Sequence, residues 1–390
     1  MSIKKYLEVF TVSLKLGLTS FGGPIAHIGY YHNEYVAKRK WLDEKTFADL
    51  LALCQFLPGP ASSQMSIGIG TMRAGLTGGF LAWIGFTVPS AVAMIIFALL
   101  LQGFSFGDAA WIHGLKIVAV AIVAQAVLTM WQKLVTDNKL ATIAIAAMVF
   151  LLFKQTALSQ IVIIAAAGFA GLLIYRNSAE SDHSGTSVAV GYRTGMIALA
   201  LFFILLFLLP VMRQITGNGM IALADSFYRP GALVFGGGHV VLPLLEFEVV
   251  PTGWITKDDF LAGYGAAQAL PGPIFTFAAY IGTMIGGVAA GVIALTAVFL
   301  PGYLIVIGAL PFWNRLRRNG RIKGALTGVN AGVVGILLAA LYNPVITSAV
   351  KSSADLGLAV ILFGMLVFWK LPPWAAVIAG VAGSMVLGMI

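Results

Sequence analysis

Gln55-Phe56-Leu57-Pro58-Gly59-Pro60 and Gln268-Ala269-Leu270-Pro271-Gly272-Pro273 are two copies of one motif, and their spacing decides the architecture. The match continues in register on both sides. Phe21-Gly22-Gly23 recurs as Phe235-Gly236-Gly237, and Trp41-Leu42-Asp43 aligns with Trp254-Ile255-Thr256. Ile69-Gly70-Thr71-Met72 returns unchanged as Ile281-Gly282-Thr283-Met284, and Pro89 matches Pro301. The offset stays at 212–214 residues throughout, a register that chance does not hold. The chain is a tandem duplication.

Its solvent is lipid. Apolar residues make up 59% of the 390 residues and charged ones 10%, with a mean hydropathy of +0.93; a soluble domain carries about 25% charge. Runs able to cross a ~30 Å hydrocarbon core fall near 76–102, 109–131, 139–153, 156–175, 196–212, 287–310, 325–343, 356–369 and 374–390. Residues 1–8 are polar and no cleavable signal is expected, so insertion relies on the internal spans. Cys54 is the sole cysteine, which excludes an intrachain disulfide and a Cys-based metal site. No cofactor is expected. The net charge of +9 follows from basic cytoplasmic loops as readily as from an anionic ligand, and no basic domain points to nucleic acid.

Charge gives each half an orientation. Residues 31–46 carry Lys38, Arg39, Lys40 and Lys45, whereas the equivalent 244–259 carry Lys257 beside Glu246, Glu248, Asp258 and Asp259. The later loop reverses this bias. Residues 102–115 hold no Lys or Arg, but 312–325 hold Arg315, Arg317, Arg318, Arg321 and Lys323. Equivalent loops therefore face opposite sides, and the halves are inverted. The unpaired span 196–212 turns the second half over, after a polar cytoplasmic linker over Tyr175–Arg193. The reading is an all-α polytopic membrane protein: a first repeat over 1–175, linker and inverting helix over 176–213, and a second repeat over 214–390. Inverted repeats with a site at their interface recur in secondary transporters.

Phe21–Pro24 and Pro58–Pro60 make poor spanning helices, because proline removes a donor and glycine loosens the chain. Non-helical backbone at membrane depth survives only where protein or water covers it. Half-helices are thus expected to meet at both Pro-Gly-Pro motifs, with the second proline at the first position of a new helix. Such a helix aims free N–H groups and its positive dipole end at the break. In the preferred reading 47–73 and 7–35 are re-entrant, each returning to the side of Lys38–Lys40; full crossings are the alternative.

Phe21-Gly22-Gly23-Pro24, followed by His27, Trp41 and Gln55-x-x-Pro58-Gly59-Pro60 and repeated in a second half, resembles the chromate ion transporter family in its long, two-domain form. The resemblance covers nearly the whole chain. It implies a multi-pass protein of the bacterial inner membrane that exports chromate, with sulfate as a similar dianion. One departure is that Gly238-His239 stands where the first half has Pro24, with His27 out of register. A homodimer stays open, as does uniport against proton exchange.

The candidate site lies between the two Pro-Gly-Pro breaks. Gly22, Gly23, Gly236 and Gly237 with Pro58, Gly59, Pro60, Pro271, Gly272 and Pro273 either frame it or are kinks. Ser62, Ser63 and Thr276 either donate to an oxyanion or bond their own backbone. Gln55 and Gln268 present amide donors before the breaks, or glue helices together. His27 and His239 carry protons, donate to the anion, or are structural. Glu34 and Glu248 read as solvated interfacial carboxylates, and Arg73 as a snorkelling cation or an anion attractor. No hydrolase motif or metal-spaced cluster appears, so an enzyme is not expected. The rivals are a carrier of sulfate or another tetrahedral oxyanion, and an anion channel.

Overall fold

The computed structural model describes residues 3–103, 110–154, 156–175, 190–235, 237–313 and 319–388. Among them the secondary structure is helical, without strands. In chain order the helices are α1 (Ile3–Thr19), α2 (Gly23–Tyr31, continuing π-helical over His32–Lys38), α3 (Glu44–Phe56) and α4 (Ala61–Gly103). Next come α5 (Ala110–Leu134), α6 (Asn138–Phe153), α7 (Ala157–Ile174), α8 (Tyr192–Thr216), α9 (Gly219–Leu233), α10 (Val241–Val249) and α11 (Lys257–Ala267). The last four are α12 (Phe277–Ala309), α13 (Gly320–Ala340), α14 (Ser353–Val367) and α15 (Pro373–Leu387).

Among the described residues five stretches, Ala61–Gly103, Ala110–Leu134, Tyr192–Thr216, Ile274–Phe312 and Gly320–Ala349, are long and apolar enough to cross a membrane, and four shorter apolar helices accompany them. The chain is an all-α, multi-pass membrane protein. Side-chain caps set helix starts at matching places in the repeat. Asp43 accepts from the Thr46 N–H at the head of α3, and Thr256 accepts from the Asp259 N–H at the head of α11.

Two compact units divide the chain, and each draws on both sequence halves. The first comprises Met1–Ile96, Ala179–Gly238 and Pro271–Asn319. In it α1 and α2 form a hairpin: Lys15 pairs with Glu34 at 3.3 Å, and Arg39 reaches Glu8 at 3.5 Å. The chain therefore enters and leaves at one end. The stretch from α3 into α4 doubles back likewise. Leu50 lies against Gly68, and Trp41, which precedes α3, lies under the Arg73 guanidinium at 4.9 Å. Both hairpins thus return to the end at which they begin.

At Ala74-Gly75 α4 folds again, so that Gly70 faces Gly78 and Thr71 faces Gly79 in a close antiparallel pair. At Gly286-Gly287 α12 repeats the fold with nearly the same dihedral angles, Gly282 against Ala290 and Thr283 against Gly291. The long limbs beyond these folds touch each other. Tyr303 donates to the Leu76 carbonyl at 3.0 Å, and Trp83 packs on Phe299, so the contacts run in opposite order along the two limbs.

The second unit comprises Phe97–Ser178, His239–Leu270 and Gly320–Ile390. Much of α5 and α13 is buried, and small residues let the backbones approach: Gly171 meets Gly328, Gly335 meets Ala144 and Gly114 meets Gly380. An ion pair and a hydrogen bond pin α5: Lys116 to Asp258 at 3.1 Å and His113 Nε2 to the Asp355 carboxyl at 2.8 Å.

Candidate functional site

Both Pro-Gly-Pro motifs lie in the first unit, and each is bound to a break of the opposite sequence half. The Gly59 N–H donates to the Val234 carbonyl at 2.7 Å, and the Gly272 N–H donates to the Ser20 carbonyl at 2.9 Å. Ser20 precedes Phe21-Gly22-Gly23, and Val234 precedes Phe235-Gly236-Gly237. The exchange is reciprocal, so four breaks become two junctions. Gly59 and Gly272 have φ of 120° and 93°, which side chains other than glycine's rarely tolerate. Space is short as well. A Cβ on Gly59 would stand 3.2 Å from the Gly302 Cα, and one on Gly272 would stand 2.9 Å from the Ser90 Oγ. Ser90 and Gly302 are themselves repeat equivalents, following Pro89 and Pro301.

Around this shared backbone the side chains differ. At the Gly272 junction the buried His27 ring donates through Nε2 to the same Ser20 carbonyl at 3.1 Å and meets Phe86 edge-on. Its Nδ1 and the Ser20 Oγ are buried without partners. At the Gly59 junction Gln64 Nε2 donates to the Pro58 carbonyl at 2.7 Å and to the Gly302 carbonyl at 3.4 Å. Gln64 Oε1 and the Ser63 Oγ are buried without partners. Buried polar atoms nearly always find a partner, so such a group of orphans marks where water or a polar ligand is to be accommodated.

The expected residues divide accordingly. Gly59, Pro60, Ser63, Pro273 and Thr276 are buried; Pro58, Pro271 and Gly272 are half-buried. Gly22 and Gly23 open α2 with positive φ, and Gly22 is exposed. Gly237 has φ of 153°, and Gly236 lies outside the described residues. The second proline of each motif stands one place earlier than expected: Pro60 precedes α4, and Pro273 precedes a 3₁₀ turn leading into α12. The reason is that each proline's carbonyl accepts the first backbone bond of the turn, from Gln64 and from Thr276.

Thr276 differs from expectation, since its hydroxyl donates to the Pro273 carbonyl at 2.9 Å and has no proton left for a ligand. Gln55, still helical in α3, is exposed. Glu34 and Glu248 are buried rather than solvated, Glu34 between Lys15 and Arg39. Of the topology cations, Arg315, Arg317 and Arg318 lie outside the described residues, and Arg321 and Lys323 lie within. His239 and Gln268 belong to the second unit, where His239 Nδ1 meets the Tyr264 hydroxyl at 2.9 Å and Gln268 Nε2 is buried without a partner.

Sequence reasoning passed over Ser20, Gln64, Ser90 and Gly302. The signal for the last two was the register beyond Pro89 and Pro301. Gln64 left none, because its repeat counterpart is not a glutamine.

The chromate transporter profile matches this chain twice, over residues 7–172 and 221–385. The chain belongs to the chromate transporter family. Its relatives include the chromate transport protein of Pseudomonas aeruginosa, 29% identical over 98% of this chain and 92% of its own length. The probable chromate transport protein of Synechococcus elongatus is 28% identical over 98% and 95%. An uncharacterized transporter of Methanocaldococcus jannaschii is 28% identical over 85% and 83%. No solved structure matches. Within the family copy matched over 7–172 lie both Phe21-Gly22-Gly23 and Pro58-Gly59-Pro60, and within the copy over 221–385 lie their equivalents. Each junction thus joins one family copy to the other.

Proposed function

We propose that this protein exports chromate across the bacterial cytoplasmic membrane, binding the dianion at the two junctions through neutral donors and helix ends. The carrying observation is the reciprocal exchange of Gly59 to Val234 and Gly272 to Ser20, with Ser20, Ser63 and His27 holding unpartnered polar atoms beside it. The first N–H groups of α4 have no helical acceptor, and a helix start carries about half a positive charge. Ser63 in that first turn adds a hydroxyl. No Lys or Arg occurs in Phe21–Pro24, Gln55–Pro60, Phe235–Gly238 or Gln268–Pro273. Such a site offsets part of a dianion's desolvation and still releases it, which transport requires.

The halves 1–175 and 214–390 are read as inverted, with α8 between them and Lys38–Lys40 on the cytoplasmic side. Support comes from the opposite loop charges and from the antiparallel contacts of the two long limbs. Direction follows from the membrane potential. One charge moved through 100 mV is worth about 2.3 kcal/mol, so a dianion leaving an inside-negative cell gains roughly 4.6 kcal/mol. Relatives named as chromate transport proteins support chromate as the cargo, and sulfate shares its charge and shape.

The test is chromate uptake into inside-out vesicles, where export appears as uptake. The expected result is saturable flux, accelerated by a lumen-positive potential and competed by sulfate. Absence of chromate flux from folded protein would refute the reading; flux that does not saturate would make the protein a channel.

A further inference from the structure

The open end of the α3–α4 hairpin, where α3 begins, holds a cation that the junctions do not use. A cavity of about 420 Å³ opens there, lined by Lys5, Trp41, Thr46, Ile69, Met72 and Arg73. Arg73 is held in position from two sides. One Nη donates to Glu8 at 3.1 Å, and the guanidinium lies over the Trp41 ring at 4.9 Å, with Arg39 over the same ring at 5.7 Å. Its Nε is buried and has no partner. A guanidinium fixed beside an open cavity suits an oxyanion, which can accept parallel N–H bonds from an edge of the fork.

The local charge favours an anion. Glu8 and Glu34 between them hold Lys15, Arg39 and Arg73, so two carboxylates face three cations. Lys5 adds a fourth cation and makes no ion pair among the described residues. Asp43, which also lines the cavity, is a third carboxylate and stays ionised, since the Thr46 N–H donates to it at 2.7 Å and holds its carboxyl below the usual range; four cations thus face three carboxylates.

We propose that this pocket is a loading site for the tetrahedral oxyanion, centred on Arg73 and Lys5 and separate from the junctions. It rests on the transport reading above and deepens it. Arg73 ends the 13-residue limb that begins at Ala61, so the pocket stands about 20 Å along the helix from the Gly59 break. A cation here concentrates substrate at the mouth without trapping it at the point of passage. Arg73 is one-third exposed and shared with Glu8, so its hold on a dianion is screened and brief. The second half has Ile285 at the equivalent position, so the device exists at one end only. A one-sided cation suits a carrier that loads from one compartment.

The experiment is the concentration dependence of chromate uptake into inside-out vesicles, comparing wild type with Arg73→Gln, Arg73→Lys and Lys5→Gln. Removing the loading cation should raise KM for Arg73→Gln about ten-fold while Vmax falls less than about two-fold, the signature of lost ground-state binding. Arg73→Lys should recover part of the affinity, as a point charge without the fork. Lys5→Gln, at an exposed position where folding is not at stake, should raise KM about two-fold. Sulfate competition should weaken in parallel. Unchanged KM in both Arg73→Gln and Lys5→Gln, with wild-type flux present, would overturn the loading site alone. Loss of Vmax at constant KM would make Arg73 structural and overturn it equally. Wild-type vesicles that carry no chromate would overturn the transport reading, and the loading site with it.

Discussion

The Gly59 and Gly272 junctions have the same backbone and different side chains. In each, a Pro-Gly-Pro glycine at positive φ donates to the carbonyl that precedes the other half's Phe-Gly-Gly. In each, the glycine abuts the residue after a helix proline, Gly302 or Ser90. Yet a carboxamide props one junction through Gln64, and an imidazole props the other through His27. Duplication preserved what the peptide group does and let the supporting groups diverge. A site built from the junctions is symmetric in helix ends and main-chain dipoles, and asymmetric in hydroxyl, amide and imidazole. On the proposed function, an oxyanion passing between them would meet two chemically distinct half-sites.

The largest expected effect tests the shared part. Gly59→Ala and Gly272→Ala each force a side chain into left-handed backbone, at roughly 1–3 kcal/mol of strain, and into a gap already filled. Both should cut chromate flux to below about a tenth of wild type, and by similar amounts, in protein that elutes as a folded species. Full flux in either variant would show that its junction is not on the transport path.

A smaller and unequal effect tests the divergent part. In Gln64→Leu the Pro58 and Gly302 carbonyls both lose their side-chain donor, whereas in His27→Leu the Ser20 carbonyl keeps the Gly272 amide. Since an unmet buried acceptor costs about 1–3 kcal/mol, flux should fall about ten-fold for Gln64→Leu and about three-fold for His27→Leu. The reverse order would mean that the imidazole contributes more than a hydrogen bond to a carbonyl, and would place proton exchange at that junction.

The mildest perturbation tests whether the halves are inverted. In a Cys54→Ala background, cysteines replacing the exposed Lys38 and Lys323 should both resist an impermeant thiol reagent in intact cells. A cysteine replacing the exposed Thr216, at the far end of α8, should react. Flux should remain near wild type in all three. Labelling of Lys38→Cys from outside would put equivalent loops on the same side and refute the inverted reading of the halves.

Much of this architecture was written in local chemistry. Lipid-length apolar runs fixed the helices, since a chain segment in hydrocarbon has no other way to satisfy its own peptide groups. The constant offset revealed the duplication, and Pro58-Gly59-Pro60 and its copy marked where helices stop, because proline and glycine act within a turn of themselves. The hairpin of α3 into α4 followed from the placement of basic residues. What the tertiary structure decided is partnership. Nothing in the sequence says that Gly59 answers Val234 rather than Gly272, because a peptide N–H carries no label for its acceptor and 175 residues separate the two. The same holds for Thr276 and Ser63, hydroxyls in similar first turns. Thr276 turns back on the Pro273 carbonyl across a 3₁₀ turn, while Ser63 enters a helix at once and is left unpartnered. Composition supplied donors near each break; only packing determined which were already engaged.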